Sequence, residues 1–347
     1  MVNLEGLPNP DKIFDSWYPI LIGIVIGVLY GFRAYFRGAQ CYSATKLTGK
    51  TAIVTGASSG IGEQIALDFA QRGARVILAC KNEEAAKETV EYIKRKSKKK
   101  HDVVVLPLDL SSFKSIRKFV ETFKTMENKL HILVNNAGTM MGPQKETEDK
   151  FEEQFQVNYL GHFLLTNLLL DVMKSSGSGR IINVTASAYK LGEINFDDIN
   201  GEKEAEFNSG KQFSQCKLAV ILFSQELARR LEGTGINVYC ANPGITNTNI
   251  HRHFVFKTNA FVSLSFSPFT WFLMKSAYDG AQTAIHCAVA DEVKDSTGKY
   301  YSECNEAVLE SQAIDDDLAK KLWQESVKWT RLERDATAVK SLNSGDS

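Results

Sequence analysis

The chain has 347 residues, 44% hydrophobic and 24% charged, which is apolar mass for one sizeable globular core or at most two small ones. Lysine plus arginine number 41, as do aspartate plus glutamate, so no overall field draws the protein to nucleic acid or to acidic substrates. Cys41, Cys80, Cys216, Cys240, Cys287 and Cys304 form neither a C-x-x-C pair nor a metal-ligand spacing. That scatter suits reduced thiols in a cytosol-facing domain and gives no reason to expect a disulfide framework or a structural metal.

A short acidic segment (1–16) with Glu5, Asp11 and Asp15 opens the chain. The stretch from Trp17 to Phe32 is then almost wholly apolar (WYPILIGIVIGVLYGF). With Ala34, Tyr35 and Phe36 added and Arg33 snorkelling, residues 17–36 approach the roughly 20 residues that a bilayer core requires. A membrane anchor is expected. Arg33, Arg37, Lys46 and Lys50 follow it, so the positive-inside bias puts the C-terminal domain in the cytosol, on the endoplasmic reticulum or another intracellular membrane. The competing readings are a buried helix of the domain and a cleaved signal peptide. The second needs a basic n-region and a small-residue cleavage site, whereas this n-region is acidic and long.

After a linker (37–49), residues 50–331 alternate short β-branched runs with amphipathic stretches, the pattern of successive βαβ units on a parallel sheet. TAIV, RVILA, VVVLP, HILV, RIINV and INVYCA are expected strands. Helices are expected over 60–71, 83–96, 112–126, 150–174 and 210–231. The basic run from Lys94 to Lys100 closes a helix, where cations complement the dipole, and contact with anionic lipid is its secondary reading. Beyond Ala241 the alternation weakens. An aromatic segment from Phe261 to Met274 stands where a substrate-covering flap is expected, with plain core as its alternative. The tail 332–347, ending in small polar residues, is expected to be disordered.

TGASSGIG follows the first strand directly and opens a helix, with Gly56, Gly60 and Gly62 around Ser58, Ser59 and Ile61. Glycine lacks the Cβ that would hold a backbone away from a pyrophosphate, and a helix N-terminus offers free N–H groups and partial positive charge. In its strand–turn–helix context the turn predicts a dinucleotide site in a doubly wound α/β domain of Rossmann type, although its spacing differs from G-x-G-x-x-G.

That spacing, with LDLSS (Leu108 to Ser112), NNAG (Asn135 to Gly138), VNYLGHFLLT (Val157 to Thr166) and NPG (Asn242 to Gly244), resembles the short-chain dehydrogenase/reductase superfamily from about Lys50 to Asn305. LGHFLLT, KLA, GAQTAIHC and GKYYSEC are most similar to its retinol dehydrogenase branch, which acts on retinoids and other lipid carbonyls. The resemblance implies that Asp109 meets the adenine, that Asn136, Ala137 and Gly138 lie along the ribose, and that Pro243, Gly244 and Thr246 lie at the nicotinamide, Thr246 on its carboxamide. An acidic residue at the end of the second strand would bind a free ribose 2′-hydroxyl; Lys81 stands there instead and favours NADP(H) over NAD(H).

Reduction of a carbonyl needs a proton donor at the developing alkoxide, and the superfamily supplies it with an Asn, Ser, Tyr and Lys tetrad. Asn158 and Lys217 match, and Lys217 also holds the cofactor ribose in that family. The Tyr-x-x-x-Lys tyrosine, however, is Phe213, and Ala186 occupies the serine position. Ser187 is one residue off, which in extended chain turns it to the opposite face. Tyr189, on the loop after Ala186, is a substitute acid to weigh against a structural rim tyrosine. His162 reads as a core histidine rather than a base. Two readings follow: an oxidoreductase for a lipophilic aldehyde or alcohol with atypical proton donors, and a non-catalytic NADP(H)-binding protein that senses or scaffolds at a membrane. Whether the chain pairs into a homodimer is left open.

Overall fold

The β-branched runs form strands buried on both faces, as a parallel sheet between helix layers requires. A computed structural model describes residues 17–97, 101–203, 206–247 and 274–333. Its strands are β1 (Thr51–Thr55), β2 (Arg75–Cys80), β3 (Asp102–Pro107), β4 (Ile132–Asn135), β5 (Gly179–Val184), β6 (Ile236–Asn242), β7 (Lys299–Ser302) and β8 (Asn305–Glu306). They make one sheet in the order β3-β2-β1-β4-β5-β6-β7-β8. All neighbours pair parallel except β7 and β8. The order reverses between β1 and β4, and in doubly wound sheets ligands bind at that switch, beyond the carboxyl ends of the strands.

Alternate strand residues feed two cores. Val54, Val76, Val134 and Ile182 pack under α2 (Gly60–Gln71), α3 (Glu83–Lys96) and α7 (Ala277–Val289). Ile53, Ile77, Leu133 and Ile181 pack under α4 (Phe113–Met126), α5 (Gly161–Ser175), α6 (Ser209–Arg230) and α8 (Asp316–Thr330). Ahead of all of them stands α1 (Tyr18–Arg37), 20 residues with a mean hydropathy of 1.8 and none of its apolar window buried. By length and composition it could cross a membrane.

The expected helices and strands agree with the observed ones to within about three residues at their ends, except that the expected helix over 150–174 is divided into a short turn of helix (Glu153–Phe155), a π-helical turn (Gln156–Leu160) and α5; α7, α8, β7 and β8 were not anticipated. From Asp279 onward the α7 helix is buried on every face, Gln282, Thr283 and His286 included, so its polar residues do not mark out a solvent face as those of a surface helix do. Its Ser276/Asp279 capping box was the legible signal. Residues 38–47, expected as a linker, lie against the domain: Arg72 donates to the carbonyls of Ser43 and Thr45, and Leu47 is buried. The aromatic segment from Phe261 lies outside the described residues except for Met274, as do Lys98 to Lys100 and the tail from 334 onward.

Candidate active site

A cleft of about 790 Å³ opens at the switch point, lined from the glycine-rich turn after β1 to the NPG turn after β6. Gly56 and Gly60 take φ of 65° and 61°, the left-handed region that side chains avoid. A Cβ on Gly56 would lie 2.8 Å from Ala137 Cα, and one on Gly62 would lie 2.5 Å from the Gly56 carbonyl oxygen. Gly62 is not among the residues lining the cleft, and its missing Cβ lets α2 close onto the turn. Ser58, Ser59, Gly60 and Ile61 do line it, and Ser59 makes no side-chain cap, which leaves the first amides of α2 open. An anionic pyrophosphate fits this cradle.

Thr55 ties the turn to its surroundings. Its hydroxyl oxygen accepts the N–H groups of Asn136 (2.9 Å) and Ala137 (3.0 Å), while the Asn136 amide donates to the Thr55 carbonyl at 2.9 Å. With both lone pairs engaged, the hydroxyl can only donate, to His162 Nε2 at 2.9 Å with the Val134 carbonyl as a longer acceptor at 3.3 Å. His162 then carries its own proton on Nδ1, facing the Asn158 carbonyl at 3.3 Å, a tautomer assigned from the network. Burial pushes this imidazole down to about 3, so it stays neutral, a core histidine that joins the glycine-rich turn to the Asn158 region.

Asn158 sits in a π-helical turn, Gln156–Leu160, that leads into α5. Its side chain accepts from the Thr139 N–H (2.8 Å) and donates to the Thr139 carbonyl (2.9 Å), fixing the loop after NNAG. It does not itself line the cleft, whereas Ala137, Gly138 and Thr139 do. Gly161 makes room here, since a Cβ would lie 2.7 Å from the Leu110 carbonyl oxygen.

At the end of the cleft where the resemblance puts the adenosine, Lys81 pairs with Asp109 at 2.8 Å. Burial would raise the Asp109 pKa, but hydrogen bonds from Lys81 and Ser111 outweigh it and hold the carboxyl below its usual range. The Lys81 ammonium, expected to await a 2′-phosphate, is therefore already engaged. At the other end Pro243, Gly244 and Thr246 line the cleft. Gly244, at φ 70°, donates its N–H to Asn242 Oδ1 at 3.0 Å. The Thr246 hydroxyl turns back onto the Pro243 and Gly244 carbonyls, at 3.2 and 3.3 Å.

Ala186, Phe213 and Lys217 all line the cleft. Lys217 donates to the Val184 carbonyl at 3.2 Å and lies 5.4 Å from the centroid of the Phe213 ring. Its enclosure pushes the ammonium down to about 8. Of the four positions that the family resemblance pairs with the tetrad, Ala186, Phe213 and Lys217 line the cleft, and Ala186 and Phe213 carry no hydroxyl. Tyr189 does not fill the gap. It is fully buried, stacks edge-on against Tyr300 and accepts the Glu310 N–H at 3.3 Å, so the expected rim position is corrected to a core one. Ser187, expected to face away, lines the cleft, because the extended chain ends at Ala186 and a 3₁₀ turn, Ser187–Leu191, begins. Asn242 donates to its hydroxyl at 2.9 Å. Sequence reading missed this serine and the Thr55 hub. Thr55, as the last residue of β1 before the glycine-rich turn, was findable; Ser187 needed the local turn geometry.

The family model for short chain dehydrogenases matches residues 50–257. The chain belongs to the short-chain dehydrogenase/reductase family. It is 42% identical over 312 residues to retinol dehydrogenase 13 of Homo sapiens, covering 90% of this chain and 94% of that one. It is 41% identical over 315 residues to retinol dehydrogenase 12 of Mus musculus, covering 88% and 96%. Retinol dehydrogenase 11 of Homo sapiens is 40% identical over 316 residues, covering 90% and 96%. These place it in the retinol dehydrogenase branch. Among solved structures, an uncharacterised protein of Mycobacterium paratuberculosis superposes with a TM-score of 0.68 at 28% identity, over 85% of this chain and 98% of that one. Pseudomonas aeruginosa RhlG in an NADP active-site complex superposes at 0.58 with 26% identity, over 74% and 94%.

Proposed function

We propose that this short-chain dehydrogenase/reductase is an NADP(H)-dependent oxidoreductase for a retinoid or another lipophilic aldehyde or alcohol, held at a membrane by α1 and working without the family's tyrosine acid. The cofactor reading rests on the open α2 amides beside Gly56 and Gly60, and on Lys81 as a cation at the end of β2. Bound NADPH would supply the hydride. The chain's own groups would do the rest: the glycine-rich turn holds the pyrophosphate, Lys217 holds the ribose, and Asn136 keeps the turn closed through the Thr55 carbonyl. Holding a carbonyl beside the nicotinamide retains rate from proximity, with the alkoxide that forms taking its proton from solvent water. General acid catalysis, worth about 10² to 10⁴-fold, is what Phe213 forfeits.

The observation that carries this reading is the cleft itself, in which Asp109, Lys81, Asn136, Lys217 and Thr246 all line one continuous cavity. The second reading, a cofactor-binding protein without turnover, is favoured by the paired loss at Ala186 and Phe213. Single-turnover oxidation of NADPH with a panel of lipophilic aldehydes separates them. Slow but saturable oxidation supports the enzyme; NADPH binding with no oxidation by any aldehyde supports the binding protein.

A further inference from the structure

The residues that follow α1 are built into the rim of the cleft. Gly38 takes φ 72°, and a Cβ there would lie 2.5 Å from Lys275 Nζ. The same ammonium lies 3.4 Å from where Gly244, a cleft residue, would carry its Cβ. One lysine therefore touches both the end of the apolar helix and the cleft. Lys275 is buried, and its charge is met by Glu303 at 2.5 Å. The other Glu303 oxygen accepts the Ala39 N–H at 3.0 Å. Glu303 and Cys304 hold the β7–β8 turn at φ 52° and 56°, a conformation that residues with side chains disfavour.

Further bonds fasten the helix root from two sides. Arg33 donates to the Met274 carbonyl at 3.2 Å, Arg37 and Gln40 reach Asp279 at 3.3 and 3.1 Å, and the Cys41 N–H reaches Gln282 at 3.0 Å. A helix held this way has a set direction relative to the domain. Four of the domain's exposed apolar side chains lie at the same end of the sheet, while Tyr42, Met126, Val308 and Ile314 are exposed outside that group. Ile245 (72% exposed), Leu191 and Met141 follow the carboxyl ends of β6, β5 and β4, and Tyr278 opens α7 beside the helix root.

We infer that the domain rests with its cleft-bearing end against the bilayer surface, with the Lys275–Glu303 clamp setting that orientation and the Ile245 rim receiving a lipophilic ligand from the lipid. The inference rests on reading α1 as a membrane helix. Exposed apolar groups gain by entering the headgroup boundary, and a rigid root at the rim brings them there.

The test uses the full chain in phosphatidylcholine vesicles, with Cys41→Ser and Cys304→Ser to remove the two thiols that are not buried. An environment-sensitive fluorophore is attached singly through Ile245→Cys, Tyr278→Cys or Met126→Cys, Met126 closing α4 at the far end of the sheet. Acyl-brominated lipid is expected to quench the Ile245 and Tyr278 labels several-fold more than the Met126 label. Equal quenching at all sites in a chain that floats with the vesicles overturns the orientation. A chain that does not float overturns the membrane reading itself. Adding Glu303→Gln is expected to bring the Ile245 signal down toward that of Met126 while flotation persists; an unchanged pattern overturns the clamp.

Discussion

The two ends of the cleft tell different stories. At the cofactor end each residue type answers to a contact: Gly56 and Gly62 to a backbone approach that a Cβ would block, Thr55 to donors from the NNAG turn, Asn242 to the N–H of Gly244. At the catalytic end the scaffold is equally well built, since Lys217 is buried and bonded to Val184, but Ala186 and Phe213 bring no hydroxyl to the cleft. On the proposed reading, positioning and proton transfer are therefore separable in this fold. The first is distributed over backbone geometry, while the second rests on a few side-chain oxygens.

Restoring those oxygens is the strongest way to break the contrast. Ala186→Ser with Phe213→Tyr is expected to raise single-turnover aldehyde reduction by about 10² to 10⁴-fold while NADPH affinity stays near that of the native chain. Each single change should recover less, and the two should be non-additive because both hydroxyls address one substrate oxygen. A double variant no faster than the native chain, with NADPH still bound, would place the loss elsewhere in the cleft.

The cofactor end is tested by Thr55→Val, which keeps the shape of the side chain and removes its hydroxyl. Asn136 N–H, Ala137 N–H and His162 Nε2 would then face a methyl group, and unpaired buried groups cost about 1–3 kcal/mol each before relaxation. A stability loss of about 3 kcal/mol in denaturant unfolding is expected, with weakened NADPH binding. Thr55→Ser should recover most of both. A valine variant that binds NADPH as the native chain does would remove Thr55 from the site.

How far the sequence could be read follows the same division. The strands and the helices between them were legible because β-branched runs and a 3.6-residue period are local patterns, and the glycine-rich turn was legible because only glycine suits its geometry. The family resemblance found Ala186 and Phe213, and the cleft does bring both beside Lys217. What was illegible depends on tertiary placement. A tyrosine three residues from Ala186 is core because the chain turns at Ser187, and no period in ASAYK reveals that turn. The α7 helix was hidden because its polar residues are satisfied inside the fold. The pairing of Lys81 with Asp109 was hidden because it joins the ends of two different strands.

Lys217 offers a smaller, pH-resolved test of the catalytic end. Its folded pKa lies at about 8 against an ordinary 10.5, because burial disfavours the charge. Below pH 8 both folded and unfolded states hold the proton, and the full cost of burying the charge, about 3 kcal/mol, is present. Between about 8 and 10.5 the unfolded state binds more protons, so stability rises with pH across that window. Lys217→Met should therefore gain stability relative to the native chain below pH 8, and that gain should fade as pH approaches 10.5. A difference that does not vary with pH would mean that the ammonium is solvated.

The smallest expected effect is the most informative about cofactor choice. Lys81 is 66% exposed and its ion pair with Asp109 is worth no more than about 1 kcal/mol. A 2′-phosphate carries more charge than a carboxylate and can draw the ammonium away at little cost, whereas NADH leaves the pair intact. Lys81→Met should thus weaken NADPH by about 5-fold, the equivalent of about 1 kcal/mol, and leave NADH nearly unchanged. Asp109→Asn should act in the opposite sense on the ratio. It frees Lys81 for the phosphate, so NADPH gains relative to NADH even if loss of the Asp109 carboxylate weakens both. Fluorescence titration of the two cofactors against the native chain and both variants decides it. A ratio that moves the same way in both variants would mean that Lys81 does not meet the phosphate and that the preference is set by other residues along the cleft.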